Sequence, residues 1–99
     1  MWVIKSEASA IPSSFRLLPG SSKTLGRAAG ADFLLDAALV SRLHCRLTAG
    51  AAELEVEDLE STNGTYVNGA RVSRAVLRSG DRLTIGSVEL RVEQASGPD

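Results

Sequence analysis

Apolar and polar residues alternate most clearly in the carboxyl-terminal half of the chain. Leu83, Ile85, Val88, Leu90 and Val92 are apolar while Thr84, Glu89, Arg91 and Glu93 are polar, a period of two that turns one strand face to a core and the other to water. Gly86-Ser87 separates the two runs, and glycine first in a two-residue loop suits a type II′ turn. The pattern therefore predicts a hairpin pairing Ile85 with Val88 and Leu83 with Leu90. Glu53 to Asp58 alternates in the same way, with Leu54 and Val56 on one side. Thr65-Tyr66-Val67 is rich in strand formers and leads into Asn68-Gly69, both of which tolerate positive φ and turn the chain.

Further strands are predicted upstream at Trp2 to Lys5, Phe15 to Leu18, Lys23 to Gly26, Phe33 to Leu35 and His44 to Thr48. Pro19-Gly20, the Ala28 to Ala31 loop and Ala49-Gly50 separate them. Roughly ten short strands with a turn signal every ~8–12 residues are the spacing of a β-sandwich or barrel. Ala28 to Ala31 and Ala37-Ala38 are too short and uncapped to be helices. With no internal repeat or low-complexity linker, residues 1–94 are expected to form one domain and residues 95–99 a frayed tail.

Composition narrows the function. Of 99 residues, 43% are hydrophobic and 23% charged, which is ordinary for a folded domain. A chain of this length supports a single core and a surface-binding role more easily than an enclosed catalytic pocket. The net charge of −1 provides no basic field for nucleic acid or an anionic membrane, so any anion site must be local. Cys45 is the only cysteine, which excludes an intrachain disulfide, a zinc cluster or a redox pair and predicts an intracellular setting. No basic stretch followed by a long apolar run begins at Met1, and no segment approaches the ~20 apolar residues of a membrane span, so neither export nor anchoring is expected.

Three loop-edge clusters carry the chemistry: Leu25-Gly26-Arg27, then Val40-Ser41-Arg42-Leu43-His44-Cys45, then the run from Asp58 to Gly69 containing Ser61-Thr62-Asn63-Gly64-Thr65-Tyr66-Val67-Asn68-Gly69. Each alone says little. In this order and at these intervals they resemble the forkhead-associated (FHA) domain, whose signature is Gly-Arg, then Ser-x-x-His, then Asn-Gly, and the resemblance runs from about Phe15 to Val92. It implies an all-β fold, a β-sandwich of two twisted antiparallel sheets of the FHA or SMAD-like kind, with ligand loops at one end. It also implies a non-catalytic module that binds phosphothreonine in a partner protein phosphorylated by a Ser/Thr kinase, with no cofactor, metal, nucleic acid or membrane involved. The cell interior is the expected location, cytoplasmic or, in a eukaryote, nuclear.

The resemblance makes Arg27 the main phosphate ligand, and its guanidinium has the planar paired donors that match two phosphate oxygens. Ser41 donates its hydroxyl to phosphate, Arg42 adds a contact at a variable position, and Thr62 contributes backbone or hydroxyl contacts. Asn63 clamps the peptide main chain through an amide that both donates and accepts. Gly26, His44 and Gly64 support the site, His44 as a buried ring whose hydrogen bonds tie the Ser41 and Asn63 loops. Taken singly, the same residues fit blander roles: a surface salt bridge for Arg27, a turn for Ser41 and Asn63, solvent for Arg42.

Two other functions compete. One is an FHA-like scaffold or oligomerisation domain that needs no phosphate; three polar groups poised at one end argue against it. The other is a hydrolase built on Ser41, His44 and Asp58. No Gly-x-Ser-x-Gly nucleophile elbow is present, and in a strand Ser41 and His44 would face opposite ways. Ligand choice is expected to rest on the loops, with Leu39, Val40 and the stretch holding Arg71, Arg74 and Arg78 placed to read the third residue after phosphothreonine and to favour an acid there.

Overall fold

The computed structural model describes residues 1–6 and 13–95. Eleven strands occur among them: β1 (Trp2–Ser6), β2 (Ser13–Leu17), β3 (Ser22–Gly26), β4 (Phe33–Leu34), β5 (Cys45–Ala49), β6 (Leu54–Asp58), β7 (Thr65–Val67), β8 (Ala70–Val72), β9 (Arg74–Leu77), β10 (Arg82–Ile85) and β11 (Val88–Gln94). The first sheet has the order β2-β1-β11-β10-β7-β8 and the second β4-β3-β5-β6-β9. Every pairing is antiparallel except the short parallel match of β3 with β4, where Gly26 lies opposite Leu34.

The alternation in the sequence becomes the core. In β5, and in β11 as far as Val92, every second residue is buried, and Leu83, Ile85, Leu90 and Val92 from one sheet join Leu25, Leu47, Leu54 and Val56 from the other in one cluster. Each such side chain contributes about 1.5–3 kcal/mol when fully buried. The hairpin register is Ile85 with Val88 and Leu83 with Leu90, as the pattern predicts, and Gly86 sits at φ +59°. Asn68 at φ 49° and Gly69 at φ 86° form a two-residue turn of the type I′ kind, which pairs Val67 with Ala70.

β8 and β9 are additions to the pattern read from sequence. Both are edge strands, and their arginines face outward where an open edge needs charge to resist pairing with another chain. An arginine-rich stretch therefore resembles a loop in sequence although it is extended. Arg74 lies against Glu55 and Glu57 of the neighbouring β6. Ala95, expected in the tail, donates its N–H to the Met1 carbonyl at 2.8 Å; residues 96–99 lie outside the described residues. No helix among the described residues is long and apolar enough to cross a membrane.

The pairings bring the end of β3, the start of β5, the end of β6, the start of β7 and the β10–β11 turn to one end of the molecule. All three sequence clusters meet there.

Candidate functional site

Gly26 ends β3 because another segment of chain crosses it. A Cβ at this position would collide with the Arg42 carbonyl and lie 2.9 Å from the Leu43 Cα. Only glycine permits the approach. The crossing is fixed by hydrogen bonds from the Arg27 N–H to the Ser41 carbonyl at 3.0 Å and from the Ala28 N–H to the Arg42 carbonyl at 3.1 Å. Arg27 also donates Nε–H to the Val40 carbonyl at 3.0 Å. That bond fixes the plane of the guanidinium and leaves its two terminal nitrogens for a ligand.

His44 is fully buried between two loops. Its Nδ1 accepts the Ser41 N–H at 3.0 Å, and its Nε2 donates to the Gly64 carbonyl at 2.8 Å, an arrangement that requires the neutral Nε2–H tautomer. Across the same gap, the Thr62 N–H donates to Ser41 Oγ at 3.0 Å. Ser41 Oγ is thus occupied as an acceptor while its own proton remains available.

Asp58 organises the loop that follows β6. Its carboxylate accepts from Ser61 N–H and Oγ and from Thr65 Oγ1, and Ser61 Oγ in turn accepts the Gly64 N–H. Desolvation pushes the Asp58 carboxyl up, but the hydrogen bonds from Ser61 and Thr65 outweigh it, so the acid lies below its usual range. Burial, with a smaller repulsion from Asp58, pushes the neighbouring Cys45 thiol up to about 12.

The opposite wall is a tight turn. The Val40 N–H returns to the Ala37 carbonyl at 3.3 Å, with Leu39 third in the turn at φ 69°, the type II position that ordinarily takes glycine. The turn is held from both sides. Ser87 donates Oγ–H to the Ala38 carbonyl at 2.7 Å, and Asn63 donates an Nδ2 hydrogen to the Leu39 carbonyl at 3.0 Å. Gly86 makes the contact possible, since a Cβ there would lie 2.5 Å from the Leu39 carbonyl carbon.

Between these walls is an open cavity of about 500 Å³. Arg27, Ser41, Thr62 and Asn63 line it together with Asp36 and residues 37–40. Gly26, His44 and Gly64 stand behind these residues and set the backbone. Arg42 is exposed beside Ser41 and is not part of the cavity lining.

The three arginines expected to read the ligand separate. Arg71 packs against Gly64, next to Asn63, since a Cβ on that glycine would lie 2.8 Å from Arg71 Nε. Arg74 is engaged on the outer face of the second sheet, and Arg78 lies at the turn where its N–H meets Asp81, beyond the Leu54–Leu77 pairing at the far end of the sandwich.

Ser41 and His44 do not lie in a strand, so the expectation that they face opposite ways gives way to a tighter geometry. Both ring nitrogens of His44 are engaged by backbone groups, and Asp58 is engaged by Ser61 and Thr65. No Ser-His-Asp relay is assembled. No group of three or more His, Cys, Asp or Glu side chains suited to a metal occurs among the described residues.

Sequence reasoning placed Asp58 and Ser61 in the third cluster and Leu39 beside the ligand, but did not assign their hydrogen bonds, and it read Gly86 and Ser87 only as a hairpin turn. Asp58 and Ser61 carry a signal, an Asp three residues before a Ser that can close an Asx-type turn. Leu39 carries none, because its backbone conformation is imposed by distant partners.

The model of the family described as FHA domain matches residues 23–86. Among curated proteins, an ABC transporter ATP-binding/permease protein of Mycobacterium tuberculosis is 42% identical over 73 residues, covering 74% of this chain and 8% of that protein. The glycogen accumulation regulator GarA of Mycolicibacterium smegmatis is 40% identical over 74 residues, covering 75% of this chain and 47% of that protein. The chain thus spans less than half the length of either. Among solved structures, one described by "Structural and functional analysis of phosphothreonine-dependent FHA domain interactions" superposes with a TM-score of 0.85 at 31% identity, over 97% of this chain and 99% of its own.

Proposed function

The chain belongs to the FHA domain family, and from that premise we propose that its loop end binds phosphothreonine in a partner protein modified by a Ser/Thr kinase, joining the two in a phosphorylation-dependent complex. The observation that carries this reading is the convergence of unspent donors on one cavity. Arg27 has its Nε committed to Val40 and Ser41 has its acceptor lone pair committed to Thr62. What remains is the guanidinium fork and a hydroxyl proton, both on the same cavity. A phosphate group, with about −1.5 to −2 charge and three acceptor oxygens, is the complement of that set.

Asn63 keeps its Oδ1 and second Nδ2 hydrogen outside the bond to Leu39, which suits a contact to each side of a peptide bond. The module acts by binding alone and works inside the cell, where its kinase-modified partner is made. Arg42 and the Thr62 hydroxyl assist from the edge of the site.

Calorimetric titration of paired phosphothreonine and unmodified peptides tests the reading, with Arg27→Ala as the control. A charge-assisted forked contact is worth about 1.5–3 kcal/mol, so the variant should lose at least tenfold in affinity while keeping its circular dichroism spectrum. Equal binding of the unmodified peptide would leave a phosphate-independent scaffold in its place.

A further inference from the structure

Only two of the residues lining the cavity are charged, and they have opposite signs. Arg27 has an assigned task, whereas the carboxylate of Asp36 makes no hydrogen bond or ion pair among the described residues. No ion pair joins Arg27 to Asp36 among the described residues. A carboxylate on the wall of a cavity that took phosphate alone would only repel the ligand. Its presence makes sense when the ligand brings a cation as well.

We propose that Asp36 is a specificity-determining residue that selects phosphothreonine segments carrying a lysine or arginine close to the phosphoresidue, an inference that rests on the phosphothreonine site proposed above. The cavity is about 500 Å³, and the cube root of that volume sets a width of about 8 Å. An extended peptide advances roughly 3.3 Å per residue, which places the basic side chain within about three residues of the phosphothreonine.

Asp36 lies just after β4, on the segment whose Leu35 N–H is bonded to the Gly26 carbonyl at 2.7 Å. It is therefore held in a fixed relation to Arg27, the next residue along. The separation of the two charges selects ligands by the spacing of theirs. Arg71, behind Gly64 and outside the cavity lining, acts the other way and would favour an acid on the Asn63 flank.

The test is a panel of phosphothreonine peptides in which lysine, glutamine or glutamate is walked through the three residues on either side, titrated against the wild-type chain, Asp36→Asn and Asp36→Lys. Asp36 is exposed and unbonded, so both variants should fold, and melting curves check this. At one or two positions the wild type should favour lysine over glutamate by about two- to fivefold, the range of an exposed ion pair. The preference should vanish in Asp36→Asn, reverse in Asp36→Lys and weaken in high salt. Phosphothreonine binding with no charge preference, or with one unchanged in Asp36→Asn, overturns the role of Asp36 and leaves the phosphate site standing. Failure of every phosphopeptide to bind overturns both.

Discussion

Asn63 holds Leu39 in a conformation that leucine does not choose. The amide donates to the Leu39 carbonyl at 3.0 Å, while Leu39 sits at φ 69° and is 59% exposed. A residue with a Cβ in the left-handed region costs about 1–2 kcal/mol. The cost is sustained because Ser87 grips the preceding carbonyl and Gly86 lets the two backbones touch. The wall of the cavity is thus set by the β10–β11 turn and the Asn63 loop together, not by its own sequence.

Leu39→Gly should consequently stabilise the domain. The strain disappears and little burial is lost, although the unfolded chain gains about 0.5–1 kcal/mol of backbone freedom. A net gain of about 0.5 kcal/mol corresponds to a melting temperature about 2–4 °C higher. Leu39→Val, which adds a β-branch to the same φ, should melt below the wild type. If differential scanning calorimetry ranked valine at or above glycine, the strain assignment would be wrong.

His44→Ala removes a ring with two backbone partners and no exposure. The loss leaves a cavity and two unpaired groups, the Ser41 N–H and the Gly64 carbonyl, for a cost of about 3 kcal/mol. In a domain of this size the melting temperature should fall by about 10 °C or more. Phosphopeptide affinity should fall with it, as the Ser41 and Gly64 loops separate. A variant of unchanged stability would show that the ring does not bridge the loops.

The core and the site were legible in sequence to different depths. Period-two alternation placed β6 with its buried face, and β10 and β11 with their register, because burial on one face and a two-residue turn leave no other solution. Gly26, Arg27, Ser41, His44, Thr62 and Asn63 were legible as an ordered set, and they meet at one end. The ladder of contacts behind them was not. Leu39, Ser87 and the second task of Gly86 depend on partners up to 49 positions away, as in the Ser87–Ala38 bond, and no local pattern encodes such a pairing. The edge strands β8 and β9 were hidden for another reason, since the charges that protect a sheet edge are the same residues that mark a loop.

Asp58 gives the site a dependence on acid. Its folded-state carboxyl lies below the usual value of 3.8, so the bonds to Ser61 and Thr65 stabilise the fold fully above the unfolded-state value and are lost as pH falls through the folded one. Asp58→Asn should lower the melting temperature at neutral pH, and the gap from the wild type should narrow below about pH 4. Melting curves collected from pH 7 down to pH 3 would show it. A gap constant over that range would mean that the charge of Asp58 is not what orders the loop.

In the proposed site, discrimination between phosphothreonine and phosphoserine is expected to rest on a separate part of the cavity from the phosphate contacts. Arg27 and Ser41 present the same donors to either phosphate, so they cannot tell the two residues apart. The apolar portion of the lining can, since Ala37, Ala38, Leu39 and Val40 face the same space. Burying the threonine methyl against them contributes about 0.8 kcal/mol, close to fourfold in affinity. The β-branch adds to this by restricting χ1 before binding, so less side-chain freedom is lost in the complex. Together these should give at least tenfold preference for phosphothreonine. Glutamate, with one charge and two oxygens in a plane, should bind far more weakly than either, because it fills only part of the donor set. Fluorescence titration of three peptides that differ only at this residue measures all three affinities. Equal affinity for phosphothreonine and phosphoserine would remove the methyl contact from the account and leave the phosphate contacts untouched, because Arg27 and Ser41 act on a group that both ligands share.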